Sequence, residues 1–333
     1  MLLRPLVLLA GLFWPAALMA QTYHLTELGD PENRRIDIAA LAEDGRVIGT
    51  LTGRTRQATQ WISGAPAPLP APSAPRDTSG LGVGGPGVSI GHGTVGAANH
   101  ALLWAGGQLY DLGDLPGGKD HSIAYGVNAK GWIVGSSGGA SGTRAVVWAN
   151  GAIRDLGDLP GGGFDSEARA VNDAGQIAGL GSAATGPRAF LWDNGKMTDL
   201  GDLPGGRDHS MARAINAAGQ IAGHSDGENG TRAVLWDTVG TMTDLGHLPT
   251  GWPVSVALGL NDAGHVVGYS GKARGRRAFL WTPAGGMIDL NAAIDPALGW
   301  HLQNAVAINA AGQIAGQGYN ATGQLRGYLL TPK

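Results

Sequence analysis

Seven copies of one short, glycine-bearing segment recur along the sequence, and this repeat limits the possible folds more than any other feature. Five copies share a clear pattern: VNAKGWIVG from Val127, VNDAGQIAG from Val171, INAAGQIAG from Ile215, LNDAGHVVG from Leu260 and INAAGQIAG from Ile308. Two weaker copies precede them, LAEDGRVIG from Leu41 and VGGPGVSIG from Val83. The second glycine of each copy recurs at intervals of 42, 44, 44, 44, 45 and 48 residues, at Gly49, Gly91, Gly135, Gly179, Gly223, Gly268 and Gly316. The chain is therefore predicted to consist of seven equivalent units.

Within one unit the side-chain pattern is that of short β-strands. In the fourth unit, Ser166–Val171 alternates smaller and larger side chains as strand A, and 172–175 forms a tight turn with Gly175 where a positive φ is needed. Residues 176–181, 188–192 and 196–200 follow as strands B, C and D, without a helical period. Four strands in about 44 residues are typical of a propeller blade. We therefore predict an all-β, seven-bladed β-propeller of four-stranded antiparallel blades.

A large apolar residue recurs twelve to fourteen positions after the second glycine of each unit. The residues at this position are Trp61, Trp104, Trp148, Trp192, Trp236, Trp281 and Leu330. Because the position is repeated in every unit, we expect these side chains to pack between blades. The position explains most of the chain's 10 tryptophans.

The two ends of the repeat predict how the ring closes. The last unit stops after its strand C and has no strand D. The segment from Tyr23 to Asp30 reads YHLTELGD and matches the strand D pattern MTDLGD, which begins at Met197. We therefore expect the N-terminal strand to be the outer strand of the last blade, which removes an unpaired edge.

Residues 1–20 have the pattern of a secretory signal peptide. A basic start at Arg4 precedes an apolar run from Leu6 to Phe13, and small residues lead to Ala20. We expect cleavage after Ala20, an exported protein that is extracellular or periplasmic, and one propeller domain over 21–333. An uncleaved membrane anchor is the alternative, although the apolar run is shorter than the roughly 20 residues that a span needs.

Composition limits the partners. The formal net charge is −3 and 15% of the residues are charged, so the chain has no basic surface predicted to bind nucleic acid. The chain has no Cys and therefore no disulfide, and no second apolar run of spanning length. Its 58 glycines accompany turns rather than a phosphate-binding loop. We predict no cofactor and a monomer.

Three motifs resemble those of the extracellular HAF-repeat proteins. They are DLGDLPGG from Asp111, the INAAGQIAG turn, and RAFLW from Arg188, with HALLW from His100 as its variant. The resemblance covers nearly all of 21–333, and it departs in the first two units, where the turn lacks Asn. It implies bacterial export and a repeat architecture, and it brings no reaction or catalytic residue.

Blade-specific residues are better candidates for a site than residues repeated in every blade. The D–A and B–C loops share one face of the disc, named here the D–A face, and they are longer and more varied than the A–B and C–D turns of the opposite A–B face. We therefore place the ligand-binding site on the D–A face, at the channel entrance. The candidates are Asp120, His121, Arg207, Asp208, His209, Trp252, Trp300 and His301.

The two tryptophans among these candidates allow two interpretations. Trp252 and Trp300 either form a stacking platform for a ligand or pack on neighbouring loops. A second set of residues on this face begins strand C in each blade: Gln57, His100, Arg144, Arg188, Arg232, Arg277 and Arg326. The arginines either form an anion-binding ring or, as we favour, pair with Asp114, Asp158 and Asp202.

The sequence contains no recognisable catalytic apparatus. The segments Asp120-His121-Ser122 and Asp208-His209-Ser210 are not triads, because consecutive residues of an extended segment point in opposite directions. No standard metal motif occurs, and we predict neither catalytic residues nor a metal. The favoured function is a secreted binding module for a glycan, a peptide or a surface protein. The alternatives are a hydrolase or lyase with a polar site at the channel mouth, and a purely structural surface or matrix protein.

Overall fold

Seven four-stranded antiparallel sheets make up the computed structural model, which describes residues 21–71, 77–163, 165–249 and 252–333. The predicted signal peptide, 1–20, lies outside these residues.

Each blade has four strands, A to D. In blade 1 they are Arg35–Leu41 (β2), Val47–Thr52 (β3), Arg56–Ile62 (β4) and Ala65–Pro68 (β5), and in blade 2 they are Thr78–Val83 (β6), Ser89–Val95 (β7), Ala98–Ala105 (β8) and Gln108–Asp111 (β9). In blade 3 they are Ser122–Val127 (β10), Ile133–Gly138 (β11), Thr143–Ala149 (β12) and Ala152–Asp155 (β13), and in blade 4 they are Ser166–Val171 (β14), Ile177–Ser182 (β15), Pro187–Asp193 (β16) and Lys196–Asp199 (β17). They continue, in blade 5, as Ser210–Ile215 (β18), Ile221–Gly227 (β19), Gly230–Trp236 (β20) and Met242–Asp244 (β21); in blade 6, as Ser255–Leu260 (β22), Val266–Ser270 (β23), Arg277–Thr282 (β24) and Gly286–Asp289 (β25); and in blade 7, as His301–Ile308 (β26), Ile314–Tyr319 (β27), Leu325–Pro332 (β28) and Tyr23–Leu28 (β1).

The predicted seven-bladed propeller is confirmed. Strands A of successive blades contact one another around the whole ring, which places them innermost. In blade 4 the predicted strands agree with the observed ones to within one residue. The described residues also include three single-turn 3₁₀ helices, Ala273–Gly275, Leu290–Ala292 and Pro296–Leu298, which the sequence analysis did not predict. No helix among the described residues is long and apolar enough to cross a bilayer.

Ring closure also follows the prediction. Strand β1 pairs antiparallel with β28 over six residue pairs, from Tyr23 with Pro332 to Leu28 with Gly327. Tyr23 is 2% exposed and Leu28 is fully buried, so the strand contributes side chains to the core as well as backbone hydrogen bonds. The last blade therefore joins the two ends of the described chain.

The two repeated glycines have different physical roles. The first glycine of each copy has φ between +72° and +88°, which favours glycine at the A–B turn. The second lies where strand B passes close to strand A: a Cβ on Gly179 would overlap the carbonyl oxygen of Glu167, and the same overlap recurs in all seven blades. Strand A has a β-bulge just beyond this crossing, between Ala168 and Ala170 in blade 4.

The core consists of clusters that bridge neighbouring blades. Trp192 is 6% exposed and packs in one cluster with Val147 of blade 3 and Phe190 of blade 4. Trp236 is fully buried, and its indole N–H donates to the carbonyl of Leu200 at 2.9 Å. The prediction of buried interblade side chains is confirmed at Trp61, Trp104, Trp148, Trp192, Trp236 and Leu330, whereas Trp281 is half-buried.

Asparagine side chains join five A–B turns to the turn of the next blade. The Asn128 amide donates to the carbonyl of Asn172 at 2.9 Å, and Asn172 donates to the carbonyl of Asn216 at 3.1 Å. The series continues from Asn216 to Asn261, from Asn261 to Asn309 and from Asn309 to Ala42. We call this series the asparagine belt.

Candidate functional site

The first candidate cavity lies between blades 4 and 5 on the D–A face. It has a volume of about 500 Å³, and three of its lining residues are sequence-predicted candidates, Arg207, Asp208 and His209. The D–A loop that carries them is held at its end by Ser210. The Ser210 hydroxyl donates to the carbonyl of Gly201 at 2.5 Å and accepts from the backbone N–H of Ala189 at 3.0 Å. The remaining lining residues come from the B–C loop and the start of strand C of blade 4, and from strands B and C of blade 5: Thr185, Gly186, Pro187, His224, Asp226 and Thr231.

A pair of histidines lies in this cavity. The ring centroids of His209 and His224 are 5.6 Å apart, and His224 is 8% exposed. Burial lowers the pKa of His224 to about 4, and the positive charge of Arg213 and the ring of His209 act in the same direction, against Asp226. The imidazole of His224 is therefore neutral at pH 7, and its Nδ1 has no hydrogen-bond partner among the described residues. Sequence reasoning missed His224, although its position differs between blades and holds Leu180 in blade 4.

A second candidate cavity lies at blade 3 on the same face. It has a volume of about 610 Å³ and is lined by the D–A loop that carries Lys119 and His121, by the B–C loop 138–142, and by Thr143 and Asp165. Ser122 holds this loop as Ser210 holds the other: its hydroxyl donates to Gly113 at 2.7 Å and accepts from Ala101 at 2.9 Å. Two homologous loops thus form two cavities.

The other predicted residues lie in D–A loops or at their ends but have separate surroundings. Trp252 is 55% exposed, and the Lys272 ammonium lies 4.8 Å from the centre of its ring. Trp300 is half-buried against the core of blade 7 and meets the ring of Tyr328 edge-on, with centroids 6.3 Å apart. His301 begins β26, and its Nε2 lies 3.0 Å from the carbonyl oxygen of Arg276. Asp120 lies 2.5 Å from the Nε2 of His100.

The arginines that begin strand C are paired with carboxylates, as favoured from the sequence; of the three predicted partners, Asp158 and Asp202 pair with arginines, whereas Asp114 lies near His100. Arg144 bonds Asp155 and Asp158, each at 2.9 Å. Arg188 pairs with Asp202 and also lies 3.2 Å from Asp208, in the wall of the first cavity. Arg232 pairs with Asp244 and Arg277 pairs with Asp289. These guanidinium groups stabilise the blade edge rather than form an open anion ring.

The opposite face also holds a cavity, which the sequence analysis did not anticipate. It has a volume of about 460 Å³ and is lined by residues of the A–B turns of blades 1 to 6 and by Ile308, where strand A of blade 7 ends. The acidic residues Asp44, Asp173 and Asp262 line it together with Glu43. Asp173, Asp262 and Glu43 accept hydrogen bonds from the N–H groups of the preceding blades' turns, so these carboxylates are part of the turn structure. The repeated turn could have pointed to contacts between neighbouring turns on this face, because five of the seven A–B turns carry Asn at the same position.

No family model and no curated protein matches this chain. Among solved structures it is similar to TolB from Acinetobacter baumannii, at 12% identity and a TM-score of 0.50, over 88% of this chain and 65% of that one. It also matches YCF48 bound to D1 peptide, at 13% identity and a TM-score of 0.49, over 95% and 96% of the two chains. A third match is the β-propeller domain of the Trilobed protease from Pyrococcus furiosus, at 10% identity and a TM-score of 0.43, over 94% and 98%. The chain spans 65% of the length of the TolB chain, and that similarity supports the propeller fold alone.

Proposed function

We propose that this chain is an exported binding module that takes a glycan on its D–A face. A propeller supplies a rigid disc whose variable loops position polar side chains, which suits it to binding. The observation that carries the proposal is the pair of homologous loops, each of which lines a cavity. The resemblance to HAF-repeat proteins and the signal-peptide pattern of residues 1–20 support export.

The two loops repeat the same chemistry at a distance of two blades. Lys119 and His121 line one cavity, and Arg207 and His209 line the other, 88 residues further along the chain. The serine after each histidine makes the same two hydrogen bonds, which Ser166 and Ser255 also make in their blades, so this anchor belongs to the scaffold that holds the loops. Two cavities on one face, each lined by one of these loops, suit a ligand that itself repeats, as a polysaccharide does.

The lining of the first cavity suits sugar hydroxyls. Asp226 accepts from the hydroxyl of Thr231 at 2.7 Å, and the side chains of Arg207 and His209 line the same cavity. Carboxylate, hydroxyl, imidazole and guanidinium groups in one cavity both donate and accept hydrogen bonds. The next D–A loop supplies an aromatic surface, Trp252, and its Pro253 carbonyl lies 3.5 Å from Arg232 in β20. An exposed aromatic ring beside polar groups can stack on the apolar face of a sugar.

A glycan array probed with the purified chain tests the proposal. We expect selective binding of a repeating polysaccharide and, in His209→Ala, about tenfold weaker binding. The double variant His121→Ala/His209→Ala is expected to lose more than either single variant, because two linked contacts reinforce each other. His24→Ala is the matched control, since His24 is exposed on the outer strand of blade 7.

Two outcomes would contradict the proposal. If the folded double variant binds the same glycan as tightly as the parent, the cavities are not the site. If the parent binds no glycan but captures peptides from a peptide library, the ligand class is wrong.

A further inference from the structure

Blade 2 differs from its neighbours at the residue that begins the paired region of strand C. Blades 3 to 6 have an arginine there, which neutralises carboxylates at the end of strand D. Blade 2 has His100 instead, while its carboxylates are retained: Asp111 corresponds to Asp155, and Asp114 corresponds to Asp158. A permanent cation is thus replaced by a side chain that can also ligate a metal.

The side chains around His100 converge on its imidazole. Its Nδ1 lies 2.8 Å from an Asp111 carboxylate oxygen, and its Nε2 lies 2.5 Å from Asp120. One potential ligand atom from each of His100, Asp114 and Asp120 lies within 4.8 Å of the other two. The His100 side chain is 15% exposed and that of Asp120 is 71% exposed, so the cluster is fixed on the protein side and open to solvent on the other.

We propose that His100, Asp114 and Asp120 bind a divalent transition-metal ion, with Zn²⁺ the best-matched ion. One imidazole nitrogen and two carboxylates are ligands that Zn²⁺ accepts, and three protein ligands leave a position for water. The imidazole favours such an ion over Ca²⁺ or Mg²⁺, which prefer oxygen ligands alone.

Asp111 gives the cluster the outer partner that metal-binding histidines usually have. A carboxylate that accepts from Nδ1–H fixes the ring and leaves Nε2 as the ligand atom. Asp111 is in this position at 2.8 Å, whereas Asp114 and Asp120 offer the carboxylate ligand atoms of the cluster. The carboxylate of Asp111 is a feature of the repeat, because blades 3 to 6 also have an aspartate at this position: Asp155, Asp199, Asp244 and Asp289.

The same contacts also suit a protonated His100 that bridges Asp111 and Asp120 without any metal. The two arrangements differ in their response to zinc, because only a metal site binds it with a defined stoichiometry. Titration with ZnCl₂ by calorimetry therefore separates them. We expect one equivalent of Zn²⁺ to bind.

The substitution His100→Arg restores the residue found in blades 3 to 6 and is the sharpest variant. We expect it to fold, to keep the melting temperature of the metal-free parent within a few degrees, and to bind Zn²⁺ at least 100-fold more weakly. Asp114→Asn tests the site without altering the imidazole and is expected to weaken binding about tenfold or more. His24→Arg makes the same chemical change on the exposed outer strand of blade 7 and should leave the titration unchanged.

The proposal is overturned if the parent binds no Zn²⁺ at concentrations up to about 1 mM, since the bridging imidazolium then accounts for the cluster. It is also overturned if folded His100→Arg and Asp114→Asn both bind as tightly as the parent. Either result leaves the glycan proposal intact, because its two variants change histidines outside this cluster.

Discussion

The side-chain amide of Asn309 donates to the backbone carbonyl of Ala42 at 3.2 Å, across 267 positions of sequence. The bond joins the A–B turn of blade 7 to that of blade 1. It is the closing member of the asparagine belt, and Glu43 accepts from the N–H of Ala310 at 3.0 Å beside it. The seam between the first and last blades is thus held on the A–B face as well as by strand β1.

Substitution of Asn309 by Ala should destabilise the ring at this seam. It removes the donor to Ala42 and the Oδ1 that accepts from the N–H of Gln313 at 2.9 Å, in a buried setting. We expect a loss of about 1–3 kcal/mol in the free energy of unfolding, measured in urea. Asn172→Ala removes the equivalent bonds inside the ring and should cost a similar amount. Unchanged unfolding midpoints in both variants would show that the belt does not stabilise the ring.

Deletion of residues 23–30 should leave β28 as an unpaired edge. The truncated chain is expected to melt at a markedly lower temperature and to self-associate, because β28 then exposes its backbone N–H and C=O groups. Leu28→Ala is a milder test and should cost about 2–5 kcal/mol, since Leu28 is fully buried. Exposed His24 in the same strand provides the control, and His24→Ala should have almost no effect. A truncated chain that melts within a degree or two of the parent would disprove this closure.

Trp192→Ala tests the packing between blades 3 and 4. Trp192 is 6% exposed in the cluster with Val147 and Phe190, so we expect a loss of roughly 3–5 kcal/mol by denaturant unfolding. Trp252→Ala removes a ring that is 55% exposed and should cost much less. Equal losses for the two variants would argue against the interblade role of the repeated tryptophan.

His224 should make the stability fall between about pH 6.5 and pH 4. Its pKa is lowered from 6.5 to about 4 in the folded chain, chiefly by burial, so in this range the unfolded chain binds a proton that the folded chain does not. Stability therefore decreases as the pH falls, by up to about 3 kcal/mol from this residue.

The variant His224→Leu isolates this contribution, because Leu180 occupies the same position in blade 4. Urea unfolding at pH 7 and pH 4.5 should show a smaller drop in the variant than in the parent. Identical drops in both proteins would mean that His224 does not resist protonation in the folded state.

The number of blades, the strand order and the ring closure could be predicted from the repeat. A pattern that recurs about every 44 residues indicates a structural unit that packs against copies of itself. The repeat alone could not show why the second glycine of each unit is required. Gly179 is required by the close approach of Glu167 from strand A, which is a tertiary contact. The turn asparagines were likewise interpreted as turn formers, whereas their amides reach the next blade.

The candidate site was accessible from the sequence only in part. Loops that vary between blades pointed to Arg207, Asp208 and His209, and these residues do line a cavity. His224 was missed, and the contacts of His100 with Asp111 and Asp120 were not predicted, because these residues come from different strands and loops that only the fold brings together. Trp300 has a ring packed against Tyr328, and such packing is likewise invisible in one sequence.

Pairing of β1 with β28 also has a consequence for biosynthesis. The first of the described strands to leave the ribosome pairs with the last, so blade 7 cannot be completed until synthesis has passed residue 332. Six blades are local in sequence and can form as they emerge, whereas this contact spans about 300 residues and has a high contact order. During translation the chain is therefore an open arc rather than a disc, and it lacks the pairing of β1 with β28 that closes the finished ring.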